Sequence, residues 1–303
     1  MRFNSFRRDV EVLAKGAPAR WIAFCLLPLI ISHRELLERY LGRIASDDRL
    51  SSLYVVPVVF LLMLWLETDR EYPVHGTGKV IAGAASALGV VSGILGATVF
   101  QGEWASLAQW SVVAFSLAAG FVFFYGFDSL RSRLAAFSLL AFIAPPPEAT
   151  VTVVEGFLQS ASTEVAEFLF SVLGVSYVRQ NMSFSLPGIV VEVARECSGV
   201  RSAMALLLAT FVFGRIVMCT NASRAALLIW AVPVAIIKNA IRIAVLATLA
   251  VWDSPDVLRG PLHQYGGPVF LGVAILLFAP IVLLLRHNEG RRRNIQLVHV
   301  STE

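Results

Sequence analysis

Apolar runs separated by short polar segments make up most of this chain. Eight of these runs approach the roughly 20 residues that a helix needs to cross a bilayer. Because a backbone in lipid must satisfy its own hydrogen bonds, the pattern predicts an all-α polytopic membrane protein with about eight transmembrane helices. In the third run, Gly89 and Gly93 have the spacing that lets two membrane helices pack closely. The eight runs cover residues 17–33, 52–67, 79–100, 107–127, 132–146, 198–217, 225–251 and 267–285.

The region between the fifth and sixth runs has a different pattern. Residues 148–176 carry apolar side chains beside Glu155, Glu164 and Glu167, which predicts an amphipathic helix on the membrane surface. Residues 175–194 alternate in polarity around a Pro-Gly turn, which predicts a short external β-hairpin or a three-stranded meander. The edge of this sheet either binds an extended peptide by strand addition or covers the helix ends as a lid.

Composition excludes a soluble protein. The chain is 57% hydrophobic and 15% charged, with a mean hydropathy of +0.71, whereas soluble domains are about 25% charged. Its net charge of +4 does not indicate nucleic-acid binding, because the basic residues lie mostly in short loops and at the termini. The cysteines, Cys25, Cys197 and Cys219, have neither disulfide-like nor zinc-like spacing. We therefore predict no metal and no cofactor.

The distribution of basic residues predicts the orientation in the membrane. Loops on the side of the termini hold 15 Lys and Arg residues, and loops on the other side hold 7. An excess of basic residues marks the cytoplasmic side, so both termini are predicted to be cytoplasmic and residues 148–197 to face outward. The larger set is Arg2, Arg7, Arg8, Lys15, Arg20, Arg70, Lys79, Arg131, Arg133, Arg215, Arg224, Arg286, Arg291, Arg292 and Arg293, and the smaller is Arg34, Arg39, Arg43, Arg49, Arg179, Arg195 and Arg259.

A thiol stands where the polar chain enters the sixth apolar run, in the sequence Arg-Glu-Cys-Ser-Gly-Val-Arg-Ser at 195–202. A helix N-terminus and nearby arginines favour the thiolate, which is the nucleophilic form of Cys197. Arg242 lies in the seventh run and His263 just before the eighth. A thiol, a fixed positive charge and a group that exchanges protons near neutral pH indicate a cysteine peptidase or transpeptidase in a membrane.

Helix rise places these groups at one depth. Cys197 and Arg215 are 18 residues apart, as are Arg224 and Arg242. At about 1.5 Å per residue each distance is roughly 27 Å, close to the thickness of the bilayer core. Cys197 and Arg242 therefore share the outer leaflet, and His263 lies in the outward loop before the last span.

Two further polar residues accompany this group. Asn239 lies one turn before Arg242 on the same helix face, which favours a polar site over simple packing. Arg201 lies one turn after Cys197, where it either faces the thiol or binds a lipid phosphate.

The segment from Pro145 to about Arg286 resembles the exosortase/archaeosortase family. Three ordered motifs carry the resemblance: Cys-Ser-Gly-Val-Arg-Ser at 197–202, Pro-x5-Asn-x-x-Arg-Ile from Pro233 to Ile243, and the histidine at 263. Histidine in the third position is similar to the bacterial exosortase branch. The resemblance implies that Cys197 is the nucleophile, Arg242 the basic partner and His263 the third catalytic residue, with Ser198 and Gly199 supporting them.

The resemblance also implies the substrate and the location. The substrates would be exported proteins whose C-terminal sorting signal joins a short motif, often of the Pro-Glu-Pro type, to a transmembrane helix and a basic end. The enzyme would lie in the bacterial cytoplasmic (inner) membrane, with membrane lipid around it and its active site facing outward. Residues 1–147 would form N-terminal transmembrane helices and residues 148–303 an exosortase-like catalytic core, within a single integral membrane domain.

The residue types leave alternatives open. A thioester on Cys197 is resolved either by water, as in a protease, or by an amine or hydroxyl acceptor, as in a transpeptidase. A transporter or lipid-binding protein also accounts for eight spans and buried arginine, but not for a thiol and a histidine at one boundary. A serine intramembrane protease would use Ser198 or Ser202, for which the sequence offers no obvious base on a neighbouring helix.

Overall fold

The computed structural model describes residues 34–66, 76–99, 101–142, 144–193, 199–254, 256, 257, 260 and 266–300. The first predicted span at 17–33 and the site residues Cys197, Ser198 and His263 lie outside these residues. The chain divides into two compact units, Met1–Glu148 and Ala149–Glu303.

The described part of the first unit is helical. Its α-helices are α1 (Arg34–Ser46), α2 (Val56–Leu66), α3 (Gly76–Thr98), α4 (Glu103–Tyr125), α5 (Phe127–Ser132) and α6 (Leu134–Ser138), with 3₁₀ turns at Asp48–Val55 and Leu139–Phe142.

Two glycines set the packing of α3 on α4. A Cβ atom at Gly93 would lie 2.9 Å from Val112 Cγ2, and one at Gly89 would lie 3.2 Å from Phe115 Cβ. Small residues at these positions let the two backbones approach, as the Gly-x-x-x-Gly spacing predicts. At one end of α4, Glu103 forms a 2.8 Å ion pair with Arg43 of α1.

The described part of the second unit combines four long helices with one small sheet. Its helices are α7 (Glu148–Leu173), which starts at the last residue of the first unit, α8 (Val200–Val217), α9 (Asn221–Trp252) and α10 (Gly267–Val300). The strands are β1 (Val178–Gln180), β2 (Ser183–Leu186) and β3 (Ile189–Glu192). They pair antiparallel in the order β1-β2-β3, so the sheet is a meander of two hairpins that share β2.

The sheet is fastened to α7 and α9. A buried cluster joins Ala166 and Phe170 of α7, Phe184 and Leu186 of β2, Val193, and Ala240, Ile243, Ala244 and Ala247 of α9. At the edge of the sheet, Arg179 of β1 binds Glu164 of α7 at 2.8 Å and also binds Glu167. The Arg179 guanidinium holds the pKa of the Glu164 carboxyl below its usual value. Opposite charge and apolar burial thus hold the sheet against the helices that carry the candidate site.

Hydrogen bonds to polar side chains fix the turn between α8 and α9. Thr220 caps α9, and its hydroxyl accepts a 3.2 Å bond from the Ser223 backbone nitrogen. The Glu289 carboxylate of α10 accepts bonds from the backbone nitrogens of Cys219 and Thr220, at 3.2 and 2.8 Å. An acidic group at a helix N-terminus accepts hydrogen bonds from free N–H groups, and its negative charge interacts favourably with the helix dipole.

The predicted count of eight spans is not confirmed. Four helices in the described residues are long and apolar enough to cross a membrane: Glu103–Tyr125, Val200–Val217, Asn221–Trp252 and Gly267–Arg291. They correspond to the predicted runs at 107–127, 198–217, 225–251 and 267–285, and an apolar part of α3, Lys79–Leu95, corresponds to the run at 79–100.

Two other predicted runs do not form one long helix. The run at 52–67 is split between a 3₁₀ turn and the 11 residues of α2, and such a helix extends only about 16 Å. The run at 132–146 is divided among α5, α6 and a 3₁₀ turn, and it ends in a proline-rich segment. Hydropathy detects the apolar side chains of both runs, but it does not detect these breaks.

Candidate active site

The start of α8 is held by direct contact with α9. Gly199 caps α8 in the left-handed conformation, with φ of 79°. A Cβ atom there would lie 2.9 Å from Asn239 Cγ. Glycine is required on both counts, because it adopts positive φ without strain and lets the Asn239 amide lie against the backbone. Gly199 is the second residue after Cys197 in the sequence.

Asn239 also joins α9 to α7. Its side-chain nitrogen donates a 3.2 Å hydrogen bond to the Ser162 hydroxyl, and both residues are almost fully buried. One turn earlier on α7, Gln159 donates to the backbone carbonyl of Val193. The residues on either side of 194–198 are therefore secured to α7: Val193 directly through Gln159, and Gly199 through Asn239 and Ser162.

A second polar contact connects α9 to the first turn of α8. Lys238 is 7% exposed, and its Nζ lies 2.6 Å from the Ser202 hydroxyl. The same hydroxyl donates a 2.9 Å bond to the Gly199 carbonyl. An amine in an apolar span is costly unless it is paired or functional, so this contact is a defining feature of the site.

Arg242 extends the polar face of α9 towards α10. It lies one turn after Lys238 and is half-buried. Its guanidinium carbon is 6.0 Å from the centre of the Phe270 ring, near the outer limit for a cation–π contact. Phe270 is buried in the first turn of α10, the helix that follows His263 in the sequence.

The structure describes four of the predicted site residues. Gly199 and Asn239 are in contact at the start of α8, Arg242 lies one turn further along α9, and Arg201 is exposed on α8. The others, Cys197, Ser198 and His263, are outside the described residues.

Sequence reasoning missed part of the polar network. Lys238 lies within the seventh apolar run, and the sequence indicates no base near Ser202, whereas the structure places Lys238 there. Gln159 and Ser162 lie within residues 148–176, for which the sequence predicts an amphipathic helix. The run Gln-Ser-Ala-Ser-Thr at 159–163 indicates such contacts, because it puts polar groups on both sides of a helix that is otherwise apolar at its centre.

An apolar pocket opens beside the start of α8, between α7, α8 and α9. Every side chain around it is apolar, so it suits an aliphatic or aromatic group. The lining residues are Val154, Phe157, Leu158, Val200, Ala203, Met204, Leu207, Ala231, Val232 and Ala235.

The fold and the site define a polytopic membrane protein with a buried polar cluster at the N-terminus of one candidate span. Residues 44–280 match the family described as "Transmembrane exosortase (Exosortase_EpsH)". The chain therefore belongs to the transmembrane exosortases, a family of membrane proteases or transpeptidases that act on the sorting signals of exported proteins. No curated protein and no solved structure matches the chain.

The Gly199 turn makes a direct prediction for stability. Gly199→Ala should destabilise the protein by more than about 2 kcal/mol, because the positive φ alone costs about 1–2 kcal/mol and the new Cβ clashes with Asn239. The loss of stability is measured by heating each protein in detergent and determining the folded fraction by size-exclusion chromatography. In an Asn239→Ala background, Gly199→Ala should destabilise the protein less, because the side-chain atoms that the new Cβ would clash with are gone.

Gly272 provides a matched control for this substitution. It lies in α10, where a Cβ atom would meet nothing within 4 Å. Gly272→Ala should leave stability unchanged or raise it slightly, since alanine favours a helix more than glycine does. Equal stability of the Gly199→Ala and Gly272→Ala proteins would contradict the assigned role of the Gly199 turn.

Proposed function

We propose that this exosortase is a cysteine endopeptidase or transpeptidase that cleaves C-terminal sorting signals at the outer face of the bacterial cytoplasmic membrane. Cys197 is the nucleophile, Arg242 the fixed positive charge and His263 the acid and base. The substrates are exported proteins with a tail of the Pro-Glu-Pro type, in which a short motif precedes a transmembrane helix and a basic end.

One observation supports this proposal above the others. The three helices that carry or border the three residues are joined by contacts among their neighbours. Gly199, just after Cys197 in the sequence, packs on Asn239, one turn before Arg242. Arg242 in turn lies over Phe270 of α10, the helix that follows His263.

The chemistry follows from the residue types. The Cys197 thiolate attacks the scissile carbonyl, and Arg242 stabilises the developing oxyanion. The tetrahedral intermediate collapses, the peptide C–N bond breaks, and His263 protonates the departing amine. Water, or an amine or hydroxyl acceptor, then attacks the thioester and releases Cys197, while His263 accepts the proton of the attacking group. The apolar pocket beside Val200 suits an apolar side chain next to the cleaved bond.

A second candidate is a serine protease that uses Ser202. The 2.6 Å contact between Lys238 Nζ and Ser202 Oγ favours it, because a lysine amine activates a serine in known Ser-Lys sites. The two candidates differ in the residue that becomes acylated. The rate of cleavage by Ser202→Ala, compared with the rate of cleavage by Cys197→Ala, distinguishes them.

The substrate class and the orientation can be tested in one experiment. An exported reporter with a Pro-Glu-Pro motif, a transmembrane helix and a basic end should be cleaved in cells that express the enzyme, with its globular part released on the outer side. A reporter with the same helix and basic end but a scrambled motif is the matched control. A second reporter fused after Arg293 should be active only in the cytoplasm, as the distribution of basic residues predicts.

Two outcomes would count against the proposal. Equal cleavage of the intact and scrambled tails would contradict the proposed substrate. An Arg293 fusion that is active only outside the cytoplasm would contradict the proposed orientation.

A further inference from the structure

Lys238 is a buried charged residue of the second unit to which the proposed reaction gives no role. It lies in the most deeply buried candidate span and is itself buried, at 7% exposed. A lysine within a membrane span is costly and is usually paired or retained for a function. Within the described part of the chain, Ser202 is its hydrogen-bond partner.

The direction of the hydrogen bonds distinguishes a supporting lysine from a catalytic one. A carbonyl oxygen only accepts, so the 2.9 Å contact between Ser202 Oγ and Gly199 O uses the single hydroxyl proton of the serine. The hydroxyl oxygen must then accept from Lys238 Nζ. A lysine that activated Ser202 would instead have to accept that proton. The observed contacts are those of a lysine that holds the serine in place.

The chain of contacts ends on the turn that starts α8. The Gly199 carbonyl accepts from Ser202 Oγ and, at 2.8 Å, from the Ala203 backbone nitrogen. On the other side of the same turn, Asn239 lies against Gly199. Two consecutive residues of α9, Lys238 and Asn239, therefore hold the first turn of α8 in one position.

We propose that Lys238 is a positioning residue for the sorting reaction, acting through Ser202 on the Gly199 turn. The inference rests on the proposed function, because Gly199 is separated from Cys197 by one residue in the sequence. A nucleophile that is misplaced by about 1 Å can lose roughly 100-fold in rate, while substrate binding elsewhere is retained. Lys238 therefore affects the chemical step more than the binding of the tail.

Four variants test this role by the kinetics of tail cleavage in purified enzyme. Lys238→Met removes the donor but keeps the length of the side chain, and Ser202→Ala removes the bridge. Each should lower kcat by about 10- to 100-fold with KM changed less than about 2-fold. The conservative variants, Lys238→Arg and Ser202→Thr, retain a donor or a hydroxyl and should recover part of the rate.

The double variant separates positioning through Ser202 from a direct action of the charge. If Lys238 acts through Ser202, Lys238→Met combined with Ser202→Ala should lower kcat no further than the more impaired single variant. Multiplied losses in the double variant would overturn the inference. So would wild-type kcat in Lys238→Met, or a loss confined to KM.

Ser111→Ala is the matched control. The Ser111 hydroxyl donates to the carbonyl three residues earlier in a candidate span, as the Ser202 hydroxyl does. This variant should keep wild-type kcat and KM. If Lys238→Met does not fold, the smaller Ser202→Ala change still tests the inference through kcat and KM.

The failure of the proposed function has a different signature. In that case Cys197→Ala would retain cleavage. Cleavage that survives in Cys197→Ala but disappears in Ser202→Ala would identify Ser202 as the nucleophile and would overturn the positioning role. Loss of cleavage in Cys197→Ala together with normal cleavage in Lys238→Met and Ser202→Ala would overturn the positioning role alone.

Discussion

Cys197→Ser should fold and insert normally but lose at least roughly 1,000-fold in the rate of tail processing. Serine differs from cysteine by a single atom, so the fold should be preserved. Serine ionises far less readily than cysteine, however, and a site built for a thiolate does not activate it. Removal of the nucleophile from a catalytic group can cost about 10⁶-fold in kcat. Processing of the reporter tail measures the rate, and size-exclusion chromatography in detergent measures folding.

The other two cysteines provide controls. Cys219 is exposed in the turn between α8 and α9, and Cys25 lies in the first apolar run. Cys219→Ala and Cys25→Ala should process the tail at the wild-type rate. Wild-type processing by Cys197→Ser, with Cys25 and Cys219 intact, would exclude the cysteine mechanism.

Arg242→Lys and His263→Ala should impair the enzyme in different ways. Arginine does not deprotonate at physiological pH, so Arg242 contributes a fixed charge and a planar set of donors. Arg242→Lys retains the charge but loses that geometry, and we expect a loss of about 100-fold in kcat. His263 exchanges protons near neutral pH, so His263→Ala should abolish turnover under wild-type conditions and change the pH dependence of any residual rate.

The pH profile is the decisive measurement for this pair. We expect Arg242→Lys to lower the cleavage rate at every pH without changing the shape of the pH profile. We expect His263→Ala to remove the part of the pH dependence that comes from protonation of the histidine. An unchanged rate and pH profile in His263→Ala would make His263 a loop residue and the proposed group of Cys197, Arg242 and His263 wrong.

Much of the second unit could be predicted from the sequence. The Pro-Gly turn and the alternation at 175–194 predict short paired strands, and the structure has three. The sequence places Asn239 on a polar helix face one turn before Arg242, and the structure buries it against Gly199 and Ser162, while its role in the site stays a prediction. In both cases a local pattern, period two for strands and period 3.6 for helices, determines which side of the element is buried.

The rest depended on contacts between distant residues. The bond from Lys238 to Ser202 joins residues that are 36 apart in the sequence, and the bond from Asn239 to Ser162 joins residues that are 77 apart. No periodicity within one helix specifies which face of its neighbour it meets. The number of spans was not confirmed for a related reason, because hydropathy measures apolar content and does not detect the points where a run is broken.

The most direct test of the central claim is to identify the residue that carries the acyl group. Purified enzyme is mixed with a tail peptide, quenched in acid within the first turnover, digested and analysed by mass spectrometry. We expect the acyl fragment on Cys197 as a thioester, and we expect none in Cys197→Ala. An acyl fragment on Ser202, or cleaved product that accumulates equally in Cys197→Ala, would contradict the cysteine mechanism.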